Sequence, residues 1–460
     1  MTAAYNTTVN RTVLRGLADC FVYIKDHIGV GPHGIMRMQT GDWNDVFVQE
    51  AMDSGLSRAE VIATAESTTN AAMSAAVLPR FADIIELAAH DGPVDPTIAQ
   101  LVPAIRQFAS EQAAALRKHA WNGQWLNRAW IPVKNKTQSP GAAQFPGGWA
   151  CTNGVDRRLC TGLCLEPQPW AILASHWAAG AAGQADAYVL TPTQTATLVE
   201  SLQRELASPM GSTVLNKAFR RTGRAPAQVP RSRAEAGGAA DAGQHENGGV
   251  WPSQNHPLIL ALATTNATAA EREWTANSRA TQAKAFPKYW PGIWSAADVA
   301  TSHLSTAGQV GTQSWPSMPV LCTHPHSWPV VSAARLSGLT FDAAGLSVRP
   351  ALPTKLGSFA FETQLAGVRR NQTGAGEWEY AGHWAPAGGS GDGCTIHLDL
   401  RSLHAGEITA TDTGFRVGSA RWQRAEAAQW LYNGVLIVAS GAPCGGGQTL
   451  GWKARVRVAE

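Results

Sequence analysis

The sequence predicts a mostly α protein, an (α/α)6 toroid of antiparallel helix pairs followed by a C-terminal all-β domain. Three observations carry this. Apolar residues recur at helical spacing in successive segments up to about residue 337. The connections between those segments alternate between short and long. After Gly338 the texture changes to short strand-like runs separated by Gly, Asn and Asp. Long loops at every second connection gather at one end of such a toroid, where a rigid scaffold presents functional residues. A full ring has about six hairpins, and the pattern here gives about eight helices, so an incomplete ring is expected.

The first helix is expected over residues 9–28, where Val13, Leu14, Leu17, Phe21 and Ile24 share a face. Glycines 29–34 break it, and a loop carries Arg37-Met-Gln-Thr-Gly41-Asp42-Trp43-Asn44-Asp45. A long helical stretch begins near Ser57, with Glu60 completing a capping box, and runs towards Ala88 with a bend or break at Pro79. Residues 97–119 read as another helix and residues 120–164, rich in Gly, Pro and Trp, as loop. Helices follow at about 167–180 and 193–207. Residues 218–246 have no apolar period and read as a mobile insertion. Helices return at about 257–266 and 268–284, and the last covers 326–337. The expected division is a helical domain over 1–340 and a β-sandwich-like domain over 341–460.

The 460 residues suffice for two or three domains. Charged residues are 15%, below the usual ~25%, so the surface leans on neutral polar groups and Gly. A net charge of +3 with no basic run among aromatics argues against a nucleic-acid partner. No run of ~18 apolar residues argues for a membrane span. The N-terminal residues lack the apolar core of a secretory signal, which leaves the cytoplasm as the default expectation. Sequons start at Asn6, Asn10, Asn135, Asn266 and Asn371 and matter only in a secretory setting. Of the seven Cys, Cys151, Cys160 and Cys164 lie close together, but no His or fourth Cys completes a zinc pattern. Free buried thiols are the default, paired disulfides the alternative, and no metal or other cofactor is expected.

Tryptophan is the unusual number: 18, against 6 Tyr and 11 Phe. Indole faces stack on the C–H faces of sugar rings, and the N–H can bond a hydroxyl. The expected partner is therefore a carbohydrate, with self-association into a homo-oligomer left open. Arg37, Asp42, Trp43, Asn44 and Asp45 put carboxylates, an amide, an indole and a guanidinium within nine residues. Carboxylates and an Arg fork can pair with two vicinal hydroxyls at once, whereas capping alone needs only one of these groups. Trp121, Trp125, Arg128 and Trp130 fit either the wall of a sugar subsite or a packed corner. Asp156, Glu166, Gln168 and Trp170 end one loop and open a helix. The helix dipole would hold Glu166 ionised, leaving Asp156 freer to carry a proton. Glu246, Asn247, Trp251 and His256 join another loop to a helix, with Gly248 and Gly249 allowing close backbone approach and Glu246 set to activate a water. A glycine turn with a capping Ser or Asn is the structural alternative there. Trp294 and Asp298, then His324 and His326, close the set as substrate contacts, since His-x-His has no evident third metal ligand.

These blocks, in this order, resemble glycoside hydrolase family 94, which holds cellobiose and chitobiose phosphorylases and the phosphorylase-like region of cyclic β-glucan synthases. The likeness runs through Gly41 to Asp45, Trp121 to Trp130, Leu165 to Trp170, Glu246 to Gly249 and Leu346 to Pro353. It implies a six-hairpin glycosidase toroid and inversion at a β-linked glucoside, with Arg37 and Asp42 gripping the sugar of the innermost subsite. Two blocks depart from the family. Its general-acid Asp follows Arg-Ala-Tyr, but here Arg128-Ala129-Trp130 leads to Ile131-Pro132. Its phosphate-holding Thr-His after Asn-Gly-Gly is replaced by Trp251-Pro252-Ser253. The family's N-terminal β-sandwich and first helices have no counterpart. The expectation is therefore a hydrolysing relative, with Asp156 as acid, Glu246 as base, and Asp45 and Glu166 as rival acids. A phosphorylase and a non-catalytic sugar-binding descendant are the alternatives.

Overall fold

Helix α1, Val13–Tyr23, starts where Thr12 accepts a hydrogen bond from the Arg15 amide, and a π-helical turn, Ile24–Ile28, ends it at Gly29. The computed structural model describes residues 12–43, 57–132, 142–145, 163–179, 188–216, 242–278, 280–281, 284, 299–305, 324–342, 345–352, 354–385, 394–400, 403, 407–417, 419, 423–424, 430–432, 435–442 and 449–459. The chain divides into two compact units, Met1–Ser201 with Leu215–Ala240, and Leu202–Val214 with Asp241–Glu460.

In the first unit the capping box forms as expected: Ser57 accepts from the Glu60 amide, and Glu60 accepts from the Ser57 amide. It opens α2, Arg58–Thr64. The expected long helix then breaks at Ala65 rather than at Pro79. Ala65 is extended, Glu66–Ser67 form strand β1, and α3, Thr68–Asp91, runs straight through Pro79. Proline removes one backbone donor, but Ala75, Ala76, Leu78, Phe81, Ala82 and Ile85 are buried around it, and that packing holds the helix. The break at Ala65 is enforced from a distance. Met38 donates its amide to the Ala65 carbonyl and Ser67 donates its own to that of Met36.

A single turn, Pro96–Ala99, is followed by α4, Val102–His119, which buries Ile105, Phe108, Ala109 and Leu116. Phe108 meets Phe21 of α1 edge-on at 6.3 Å between ring centres. Residues expected to be loop contain β2, Ala129–Pro132, and β3, Ala142–Phe145, which complete an antiparallel three-stranded sheet in the order β1-β2-β3. The pairing of Glu66 with Trp130 and Ser67 with Ala129 joins segments too distant in sequence for local periodicity to detect. Helix α5, Pro167–Ala179, packs on α3, and α6, Pro192–Glu205, leads from the first unit into the second.

The second unit opens its helices with α7, Pro252–Ala263, five residues before the expected start, because Pro252 takes the first-turn position where no donor is needed. Pro257 lies inside it. All residues from Pro252 to Ile259 are buried, so α7 is a core helix with no solvent stripe. It packs on α8, Ala267–Ala276, which stops short of the expected residue 284, and on α9, His324–Leu336. Half-buried Glu273 accepts from the Ser212 amide and hydroxyl and from Asn255, fixing the 208–213 turn.

The helical region gives way to a β-rich C-terminal region at β4, Leu339–Asp342. The strands are β5, Gly345–Val348; β6, Phe359–Glu362; β7, Ala366–Gly374; β8, Glu377–Trp384; β9, Cys394–Asp399; β10, Ile408–Val417; β11, Gln423–Arg424; β12, Trp430–Tyr432; β13, Val435–Ala442; and β14, Leu450–Val458. They form a six-stranded sheet, β11-β10-β14-β8-β7-β6, and a five-stranded sheet, β12-β13-β9-β5-β4. One core joins Val368, Tyr380, Trp452 and Val456 of the first to Leu346, Val348, Ile396 and Leu398 of the second. Trp452 lies against Gly382, where any Cβ would meet the indole at 2.8 Å. Among the described residues no helix is long and apolar enough to cross a membrane.

Candidate functional site

The segment 29–43 is pinned to strand β1 along its length. Arg37 makes an antiparallel bridge with Glu66, and the amides of Met38 and Ser67 close the flanking ladder. Gln112 of α4 clamps the other side, accepting from the Met36 amide and donating to the Gly34 carbonyl. Gln39 has a positive φ of 57°, a conformation a non-glycine residue holds only when its surroundings fix it. The backbone then delivers Asp42 to Ser67, whose hydroxyl donates to Oδ2 at 2.6 Å.

Asp42 is locked from a second direction. Arg128 Nη1 and Nη2 each lie 2.6 Å from a separate carboxylate oxygen, a bidentate fork, and both side chains are 0% exposed. Glu166 Oε2 lies 3.6 Å from Arg128 Nε, likewise fully buried. Burial alone would lower the Arg128 pKa, but Asp42 and Glu166 outweigh it and hold the guanidinium well above its usual range. Two carboxylates thus share one cation, with all three side chains fully buried. Cys164, a free and buried thiol as expected, adjoins this group, and burial followed by the Glu166 charge pushes its pKa well up. Cys20, the other free thiol among the described residues, is exposed, contrary to the expectation of burial, because α1 turns that residue outwards.

Around this centre, Arg37 is half-buried and its Nε has no hydrogen-bond partner among the described residues. Trp43 is half-buried beside Asp42. Trp125 is buried, with its indole N–H unpartnered among the described residues. Gln168 accepts from the Leu126 amide and donates to the carbonyls of Leu126 and Cys164, tying the Trp125 segment to the start of α5. Trp170 sits half-buried in the first turn of that helix. The structure therefore brings together Asp42, Arg128, Glu166 and Gln168 from three sequence blocks, while Arg37 is tied through its backbone to Glu66.

The second unit holds the other block. Glu246 lies half-buried in a tight turn where Asn247 donates its amide to Gln244, Gly249 donates to His245, and Gly243 donates to Asn247. Trp251 closes the turn, donating its indole N–H to the His245 carbonyl at 2.8 Å. Asn247 is buried. His256 is buried on α7, its Nδ1 2.7 Å from the Ser332 hydroxyl, and burial pushes its pKa down to about 4. Asn44, Asp45, Asp156, Trp294 and Asp298 lie outside the described residues, as does nearly all of the 218–246 segment. His324 and His326 fall in the first turn of α9. Among the described residues no group of three or more His, Cys, Asp or Glu is arranged to hold a metal ion.

Sequence reasoning missed Glu66, Ser67, His33 and His119. Glu66 and Ser67 sat inside what read as one long helix, and only the tertiary break makes them a strand. The faint signal was the Pro-His-Gly run just before the Arg37 block.

The family comparison gives the class: the catalytic-domain model of the glycosyl hydrolase 94 superfamily matches residues 3–270, and the chain belongs to this family of carbohydrate-active enzymes. A comparison with curated proteins finds no match. Among solved structures, a protein titled glycoside hydrolase is 12% identical, with 63% of this chain and 46% of that chain covered and a TM-score of 0.22. The chain thus spans less than half the length of that protein. A GH127 β-L-arabinofuranosidase from Geobacillus stearothermophilus T6 is 10% identical, with 90% and 75% covered and a TM-score of 0.22.

Proposed function

We propose that the protein is an inverting glycoside hydrolase acting on a β-linked glucoside or oligosaccharide, its helices completing part of an (α/α)6 toroid over 1–340 and its sandwich-like domain beginning at 341. The observation that supports this reading is the Asp42 carboxylate, held in one orientation by Arg128 and Ser67, on the loop that also carries Arg37, whose Nε has no hydrogen-bond partner among the described residues. A fixed carboxylate and a guanidinium carried by the same loop suit a pair of vicinal hydroxyls, each of which both donates and accepts. Trp43 supplies an indole face alongside.

Inversion needs a protonated acid at the glycosidic oxygen and a carboxylate that activates water, ~6.5–9.5 Å apart. Glu246 is our base: its turn is braced by three backbone hydrogen bonds and by Trp251, which keeps a water-activating group from wandering. Asp156 is our acid. Asp42 and Glu166 are both engaged by Arg128, so we assign them to binding rather than to proton donation. Trp125, Gln168, Trp170, Asn247, Trp251, His256, Trp294, Asp298, His324 and His326 form our remaining substrate-contact set.

The test incubates the protein with β-linked glucobioses with and without phosphate and follows the anomeric form of the product by NMR. Hydrolysis with inversion gives α-glucose at a rate that phosphate does not change, and Glu246→Gln lowers that rate about a thousandfold or more. Sugar-1-phosphate that accumulates only with phosphate would replace the reading with a phosphorylase. Oligosaccharide binding without turnover, unaltered by Glu246→Gln, would replace it with a sugar-binding protein.

A further inference from the structure

Buried Glu66 and half-buried His33 form a second polar group at the loop that carries Arg37 and Asp42. Glu66 is 1% exposed. Its Oε1 accepts from the His33 amide at 2.9 Å and the Ile35 amide at 3.3 Å. Its Oε2 faces His33 Nδ1 at 2.5 Å. A carboxylate has no proton to give, so Nδ1 is the donor. The imidazole is held on its other sides by rings: Trp130 stacks on it at 4.1 Å and 24°, and His119 meets it edge-on at 5.1 Å. Gly31 completes the fit, since a Cβ there would lie 2.4 Å from Glu66 Cγ.

The placement matters more than the hydrogen bonds taken singly. Glu66 and Ser67 are successive residues of one strand, so their side chains leave on opposite faces. Ser67 reaches Asp42, and Glu66 reaches the start of the same loop through His33 and Ile35. Arg37, between them, bridges to the Glu66 backbone. The loop that carries Arg37 and Asp42 is thus tied to this two-residue strand by backbone pairing, by Ser67 on one face and by the Glu66 carboxylate on the other. Trp130 brings in β2, the strand that follows Arg128, so one contact cluster also sets the Arg128 side of the fork.

We propose that Glu66, acting through His33, is a positioning residue that sets Arg37 and Asp42 at the separation a sugar ring requires, a role that rests on the carbohydrate reading given above. It touches no substrate itself. Loss of its anchor lets the loop move while the Asp42–Arg128 fork remains, so sugar binding weakens before chemistry does.

Two variants test this in the full chain. Glu66→Gln retains the acceptor for the two amides and alters the ring contact, and His33→Phe retains the stack on Trp130 and removes the Nδ1 donor. Each is expected to raise KM for β-linked glucobioses about tenfold with kcat changed by no more than about threefold, the size of one lost hydrogen bond to a charged group. Amide hydrogen exchange over residues 33–42 should quicken about tenfold in both, with exchange in α4 unchanged, and the double variant should be little worse than either single. Wild-type KM and wild-type loop exchange in a variant that merely melts earlier would overturn the proposal. If the wild-type protein neither binds nor cleaves any sugar, the carbohydrate reading fails by itself. Loop exchange then still decides whether Glu66 and His33 position this segment.

Discussion

At the scale of single residues, the Asp42–Arg128 fork is the feature on which most else depends. A buried ion pair adds little net stability over apolar packing, yet breaking it leaves one charge stranded without water. Arg128→Met should therefore destabilise the first unit by about 3–5 kcal/mol, because Asp42 and Glu166 then face each other without a cation. Arg128→Lys should lose part of that, since an ammonium cannot span both oxygens of Asp42. Urea denaturation followed by Trp fluorescence measures both, and a change below about 1 kcal/mol for Arg128→Met would contradict the geometry. The thiols give a second residue-scale outcome. Exposed Cys20 should be alkylated rapidly at neutral pH, whereas buried Cys164 should react only on unfolding, as peptide mass mapping of labelled protein would record.

At the scale of elements, the break between α2 and α3 is what turns a helical sequence into a site. Ser57→Ala removes one half of the capping box that starts α2 and should cost about 1 kcal/mol. The α7–α9 contact carries a pH dependence. Burial lowers the His256 pKa to about 4, against ~6.5 in an unfolded chain. The unfolded state then binds the proton first, so stability is fully present above pH 6.5 and falls by about 1.4 kcal/mol per pH unit between ~6.5 and ~4. His256→Asn should flatten that part of the urea-midpoint profile, and an unchanged slope would show that other groups set it.

At the scale of the whole molecule, the chain divides into two compact units, and heat should unfold them in distinguishable steps. Trp452→Ala empties the space between the two C-terminal sheets and should lower the step of the second unit by the equivalent of about 3–5 kcal/mol. Arg128→Met should lower the other step. Calorimetry of the two variants, each moving a different transition, checks the division, and a single transition moved alike by both would refute it.

By itself the sequence determined the helical region, the β-rich region after Gly338 and the blocks that mark the family. These follow from local signals: apolar period, cap spacing and short clusters of polar and aromatic residues. What only the tertiary structure decided is how those clusters meet. Asp42 and Arg128 both read as sugar contacts, and nothing in either block pairs them. Glu66 reads as a helical residue because its neighbours favour a helix. It becomes a strand anchor because the backbone of 36–38 bonds the flanking Ala65 carbonyl and Ser67 amide and Trp130 lies across from it. Propensity is worth a few tenths of a kcal/mol per residue, and satisfying several buried backbone and carboxylate groups at once outweighs it.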